Sequence, residues 1–133
     1  MEALLPKPLR SSNPTHLHKG LFKILSGIMK ELGLQQSDIS KILHKPPTTI
    51  SGWLNTGEVK VSKSKYTPDD VQIYELIELY DCLTSYFVNT TDQVNWLKTP
   101  LNVFGNKSPM ASMFEHPNHL RNVRNYLEGR MNP

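Results

Sequence analysis

Short hydroxyl and amide side chains cluster near the middle of this chain, between lysines. Hydroxyl and amide groups can hydrogen-bond to the edges of DNA bases, whereas lysines contact phosphates and fix the register of a protein on the duplex. A helix that presents such side chains on one side can enter a major groove. We therefore expect the following residues to contact double-stranded DNA: Gln36, Lys41, Lys45, Thr48, Thr49, Ser51, Gly52 and Asn55.

Two short helices joined by a tight turn would position these side chains. Apolar residues repeat at i, i+3 and i+4 in each helix, first at Ile39, Ile42 and Leu43 and then at Ile50, Trp53 and Leu54. Pro47 fits the first turn of the second helix, because its missing N–H has no intrahelical partner there. The spacing predicts a helix-turn-helix DNA-binding domain, which we place at residues 16–66.

The distribution of charge favours two different partners for the two halves of the chain. The formal net charge of the 133 residues is +3. Met1 to Lys65 contains ten Lys/Arg and four Asp/Glu, whereas Tyr66 to Pro133 contains five and eight. A basic first half suits a phosphate backbone, and an acidic second half suits another partner.

Candidate residues for catalysis or metal binding are sparse. His16 and His18, or His116 and His119, could each supply two metal ligands, but a structural zinc needs four ligands and a catalytic zinc three. Cys82 is the single cysteine and falls on or beside an apolar stripe, where a buried, inert thiol is expected. No phosphate-binding glycine motif occurs. We expect no metal, no cofactor and no enzymatic activity.

The first fifteen residues contain three prolines and no sustained periodicity, so residues 1–15 are expected to form a flexible arm. A helix is predicted from Leu21 to Leu32 and ends before Gly33. Glu58 to Thr67 is rich in lysine and serine and is predicted to be a loop along a phosphate backbone. The first residues lack the continuous apolar segment typical of a secretory signal, and no apolar run approaches about 20 residues, so we expect a cytoplasmic protein.

A longer helix is predicted to begin at Thr67-Pro68, where a capping residue and a proline are followed by two acids that favour the helix dipole. It would extend to about Val88. Its apolar residues step by three and four, at Ile73, Leu76, Tyr80, Leu83 and Phe87. Such a seam is either a stripe in the core of the chain or part of a homodimer interface. A homodimer would place the second helix of two helix-turn-helix domains on one DNA duplex. Residues 67–91 are therefore assigned to a connecting or dimerisation helix.

Three shorter helices are predicted beyond this one. Their starts are marked by capping residues or prolines at Asn89, Ser108-Pro109 and Pro117, and their ends by Pro100 and Gly129. The first of these helices contains Val94, Trp96 and Leu97, and the second contains Met110, Met113 and Phe114. In the third, Leu120, Val123 and Leu127 are expected to face inward. No strand-like alternation is longer than Val59 to Val61. The predicted fold is all-α, with an N-terminal helix-turn-helix bundle followed by a small helical domain.

Residues 92–129 resemble the Xre/MbcA/ParS toxin-binding domain found at the C-terminus of Xre-type antitoxins. The resemblance rests on an ordered set: Trp96-Leu97, Pro100, Phe104-Gly105, Ser108-Pro109-Met110, Val123, Leu127 and Gly129. Together with the helix-turn-helix that precedes this segment, the resemblance covers nearly all of the chain after the N-terminal arm. The chain departs from the family at Ser40 and His44, where a small residue and a glycine are usual. It also departs at Pro117-Asn118-His119, where a glycine-containing loop is common.

This resemblance implies a type II antitoxin that neutralises a toxin of the NAD-consuming RES type and represses its own operon. Residues 92–133 would form the toxin-binding domain, and a homodimer is expected within a complex with the toxin and operator DNA. Trp96 is interpreted either as a core residue or as a hot spot for the partner. The expected toxin contacts are Trp96, Met113, Arg121, Arg124, Asn125, Arg130 and Met131. The alternative is a stand-alone transcriptional regulator whose C-terminal half only dimerises.

Overall fold

Seven α-helices account for most of the residues that the computed structural model describes, which are 15–62 and 68–131. The predicted all-α class is confirmed. The helices are α1 (Lys19–Leu32), α2 (Gln36–Leu43), α3 (Pro47–Thr56), α4 (Pro68–Tyr86), α5 (Thr90–Lys98), α6 (Pro109–Glu115) and α7 (Pro117–Met131). A 3-10 helix, Asn102–Phe104, lies between α5 and α6.

The end of α1 is fixed by Gly33, as predicted. Gly33 has a φ of 66°, in the left-handed region where a Cβ would be strained. The N–H of Leu34 donates to the carbonyl of Met29 at 2.8 Å, and the N–H of Gly33 donates to that of Lys30 at 3.4 Å. These bonds satisfy carbonyls that have no partner within the helix and turn the chain sharply into α2.

Helices α2 and α3 pack through the predicted stripes. Ile39, Ile42, Leu43, Ile50 and Trp53 are all buried. Leu54 was predicted to share this inward face, and that prediction is wrong, since 40% of its surface is exposed. The ten-residue α3 buries only Ile50 and Trp53, a narrower stripe than the i, i+3, i+4 set, so Leu54 at the edge of that stripe stays at the surface.

A small antiparallel sheet corrects the predicted loop at Glu58 to Thr67. Strand β1 (Thr15–His18) pairs with β2 (Val59–Ser62), with Thr15 opposite Ser62 and His18 opposite Val59. Val59 is fully buried, so hydrophobic burial favours an extended chain here. The remainder of that predicted loop, residues 63–67, and arm residues 1–14 lie outside the described residues.

Helix α4 lies at the centre of the molecule and packs chiefly against α7. Its residues Ile73, Leu76 and Leu83 are at most 2% exposed, and they belong to the same buried cluster as Leu120, Val123 and Leu127 of α7. The seam of α4 is therefore a core stripe of this chain and not a free dimer surface. Leu79 completes it, while Tyr80 and Phe87 are half-buried.

The starts of the later helices follow the predicted caps. The Asn89 side chain accepts from the N–H of Asp92 at 2.9 Å, and the Ser108 hydroxyl accepts from the N–H of Ala111 at 3.1 Å. Helix α7 begins at Pro117 but continues to Met131, so Gly129 lies inside it and does not end it. Within 15–62 and 68–131, no helix is long and apolar enough to cross a membrane.

Candidate nucleic-acid interface

The outer face of α3 carries short polar side chains. Thr48, Gly52 and Asn55 are exposed, and Thr49 and Ser51 are half-buried beside them. The opposite face buries Ile50 and Trp53 in the core, which fixes the rotation of the helix about its axis. The predicted DNA contacts of α3 therefore lie together on one surface of the molecule.

Gln36 connects the start of α2 to α3. Its Nε2 donates to the Ser51 hydroxyl at 3.0 Å and to the carbonyl of Pro47 at 3.3 Å. The bond to Ser51 engages one lone pair of that hydroxyl and leaves its hydrogen able to donate outward. Gln36 thus holds the first turn of α3 in place and stands next to the polar face.

The two predicted phosphate contacts are each supported by an aromatic ring. The Nζ of Lys45 lies 6.0 Å from the centroid of the Trp53 ring, and that of Lys41 lies 5.3 Å from the Phe114 ring. Lys45 is half-buried and lies in the turn before α3, and Lys41 is exposed near the end of α2. A ring near each ammonium restricts the lysine without removing its charge. The charge of Lys45 therefore lies beside α3, whereas that of Lys41 lies over α6.

The turn between α2 and α3 is built around two side chains that were not among the predicted DNA contacts. The Ser40 hydroxyl donates to the carbonyl of Lys45 at 2.5 Å and closes the turn. His44 has a φ of 54°, and its Nε2 lies 2.8 Å from the carbonyl oxygen of Met113 in α6. The only sequence signal for the contact between His44 and Met113 was a histidine at a turn position that usually takes glycine.

The predicted toxin-contacting residues are distributed differently from the expectation. Met113 is 1% exposed and belongs to the core, so its side chain is not accessible to a toxin, contrary to the prediction. Trp96 is half-buried, with its ring stacked on that of Tyr126 at 6.5 Å and near that of Phe87 at 6.2 Å. Tyr126 also meets Phe104 at 5.5 Å. Trp96 thus joins an aromatic cluster that links α5, α7 and the 3-10 helix.

Arg121 and Arg124 converge on one buried carboxylate. Glu75 of α4 is 8% exposed and accepts from Nε of Arg124 at 2.8 Å and from Nε of Arg121 at 3.2 Å. Arg124 also pairs with Glu78 at 3.3 Å and with Glu128 at 3.0 Å. Burial disfavours the charge of Arg124, but the Glu75 bond and the three carboxylates outweigh it and raise its pKa. Arg124 therefore ties α7 to α4.

The surface that remains for a protein partner is smaller than predicted. Asn125 is exposed on α7, and the side chain of Arg121 is 56% exposed. The side chains of Arg130 and Met131 lie outside the described residues. An accessible surface near Asn125 and Arg121 is the part of the predicted set that a partner could contact.

No group of three potential metal ligands occurs among the side chains that the structure describes. The Nδ1 of His119 lies 2.8 Å from the carbonyl oxygen of Ser112, and the Nδ1 of His116 accepts from the N–H of Asn118 at 3.1 Å. Both rings thus make bonds at helix ends. Burial raises the pKa of the Cys82 thiol, and Glu128 raises it further, which disfavours the reactive thiolate.

The comparisons with known proteins found no matching family model and no matching curated protein.

Proposed function

We propose that this protein is a DNA-binding antitoxin that binds operator DNA through α3 and neutralises a toxin through its C-terminal half. The observation that carries the proposal is the face of α3, where Thr48, Gly52 and Asn55 are exposed beside Lys45. Small polar side chains next to fixed cations suit a major groove between two phosphate backbones. A cognate toxin of the RES type is the partner that the family resemblance implies.

The residues of the resemblance support a folded C-terminal unit. Ser108 caps α6, Pro109 occupies its first turn and Gly105 has a φ of 67° after the 3-10 helix. Val123 and Leu127 are fully buried. These residues build the unit and leave exposed side chains of α7, such as Asn125, to meet the toxin.

Neutralisation would work by occlusion, since the proposal assigns no catalytic residue to this chain. A stable protein interface buries about 1,200–2,000 Å² in total, which is enough to cover the entrance of an enzyme's active site. Co-expression with the product of the adjacent gene tests this. We expect a complex that co-elutes in size-exclusion chromatography and restores growth.

A point variant gives that experiment its control. Asn125→Lys adds a charge on the exposed face of α7, and Ser85→Lys adds the same charge on the exposed face of α4. Loss of rescue by Asn125→Lys alone would support the proposed toxin surface. A lone protein that neither co-elutes nor rescues growth would instead favour the stand-alone regulator.

DNA reading by α3 is tested by titration of the DNA upstream of the gene. Thr49→Ala and Ser51→Ala are each expected to weaken specific binding by about 1–3 kcal/mol where a base contact is lost. The Ser51 change also removes the acceptor of Gln36, so its effect should be the larger. Ser85→Ala, on α4, is the matched control. Unchanged affinity in both α3 variants would contradict the assignment.

A further inference from the structure

His44 adopts a backbone conformation that its own side chain disfavours. Its φ of 54° and ψ of 45° place it in the left-handed region. Among the described residues, Asn106 is the one other non-glycine residue with a positive φ. A Cβ makes the left-handed conformation less favourable than it is for glycine. Glycine would build the same turn with less strain, but it would lack the contribution that the imidazole makes.

The contribution is a hydrogen bond from the turn to the C-terminal half. The Nε2 of His44 lies 2.8 Å from the carbonyl oxygen of Met113, and because a carbonyl only accepts, Nε2 carries the hydrogen. Met113 is in the last turn of α6, where carbonyls have no partner within the helix. The Met113 side chain is 1% exposed, so the core holds this acceptor in place.

Two neighbouring contacts hold the same end of α6. Nζ of Lys41, one turn before His44, lies 5.3 Å from the ring centroid of Phe114. Nδ1 of His119 in α7 lies 2.8 Å from the carbonyl oxygen of Ser112. Adjacent carbonyls of α6 are therefore bonded from the α2–α3 turn on one side and from α7 on the other.

We propose that His44 is a positioning residue that fixes the start of α3 relative to α6 and thereby couples the C-terminal half to the DNA-reading helix. The consequence for DNA binding rests on the proposed function, whereas the mechanical link does not. Displacement of α6 by a partner of the C-terminal half would act on α3 through this bond.

Amide hydrogen exchange in the full-length chain tests the link without DNA. His44→Ala keeps the Cβ, so the backbone strain stays, and it removes the bond. His44→Gln places an amide Nε2 at the same number of bonds from Cα and should restore the donor. Asn106→Ala makes the matching truncation at the other described non-glycine residue with a positive φ, which has no described side-chain hydrogen bond to lose.

In His44→Ala, the amides of α3 should exchange about fivefold faster while those of α4 and α7 stay unchanged, since one hydrogen bond contributes about 1 kcal/mol. His44→Gln should recover most of this protection, and Asn106→Ala should not affect α3. Unchanged α3 amides, or equally faster exchange throughout the chain, would overturn the proposal.

Titration with operator DNA then tests the functional consequence. His44→Ala should weaken binding severalfold and His44→Gln should restore it. Unchanged affinity in His44→Ala, with a wild-type chain that binds, would overturn the coupling of His44 to DNA reading. A wild-type chain that does not bind DNA would overturn the proposed function, and the exchange data would still decide the mechanical link.

Discussion

At the scale of single residues, the proposed interface separates side chains that touch bases from side chains that touch phosphates. Thr48 and Asn55 are exposed on α3, whereas Lys45 stands before the helix with Nζ near the Trp53 ring. The two groups should respond differently to salt, because each phosphate contact releases a condensed counterion when it forms. Salt dependence therefore distinguishes their roles.

Lys45→Ala should lower DNA affinity by a similar factor on specific and random sequences. It should also reduce the slope of log K against log salt by about one, because one phosphate contact is lost. Fluorescence anisotropy at several salt concentrations measures both effects. Lys98→Ala, an exposed cation on α5, is the control. An equal change in the two variants would argue against a phosphate contact at Lys45.

At the scale of secondary-structure elements, the pairing of α4 with α7 is decisive for stability. The apolar stripes of both helices are buried, and the carboxylate of Glu75 is covered by Arg121 and Arg124. A buried carboxylate that loses its partner is strongly destabilising, whereas an exposed ion pair contributes little. The two arginines should therefore differ in their effect.

Arg124→Met should lower the free energy of unfolding by about 2 kcal/mol, less than for a fully buried pair because Arg121 still bonds Glu75. Arg121→Met should cost about 0–1 kcal/mol, because its side chain is 56% exposed. Urea denaturation measures both. The double variant Arg124→Met with Glu75→Leu should recover stability, since no unpaired charge remains buried. An unchanged midpoint in Arg124→Met would contradict this account.

Some elements were predictable from sequence because their signals are local. Gly33, Ser108 and Pro117 mark helix boundaries through the backbone of their immediate neighbours. The β1–β2 sheet was missed because Thr15 and Ser62 are far apart in sequence, and two four-residue strands carry little periodicity. The burial of Met113 and its bond to His44 depend on the tertiary packing of α6, which helical spacing does not specify.

At the scale of the whole molecule, the halves assigned to DNA and toxin share one hydrophobic core. Residues from α1 through α7 belong to a single cluster of buried side chains. The proposed functions therefore cannot be separated by cutting the chain between them. They can be separated by changing exposed residues on α3 or α7.

Deletion of residues 96–133 should abolish cooperative folding of what remains. It removes α6 and α7 and uncovers Ile73, Leu83 and the rest of the α4 stripe, at about 25 cal/mol per Å² of apolar surface. Circular dichroism during thermal unfolding should show a broad transition. A sharp transition in the truncated chain would mean that residues 1–95 fold independently.

The proposed homodimer also has to be placed on another surface than the α4 seam. Ile73, Leu76 and Leu83 are buried by this chain itself. Pairing of two α3 helices on one duplex would need half-sites about one helical turn apart, which is 10–10.5 base pairs. A dimer that binds a two-fold repeat with that spacing would support cooperative reading.

The central claim is that α3 reads a specific DNA sequence. The most direct measurement is the affinity of the wild-type chain for the DNA upstream of its gene, compared with a scrambled duplex of equal length and composition at one salt concentration. We predict binding to the upstream DNA about 10³-fold or more tighter than to the scrambled duplex, as is typical of specific regulators. Equal affinity for the two duplexes would contradict the claim and reduce the basic half to a non-specific electrostatic surface.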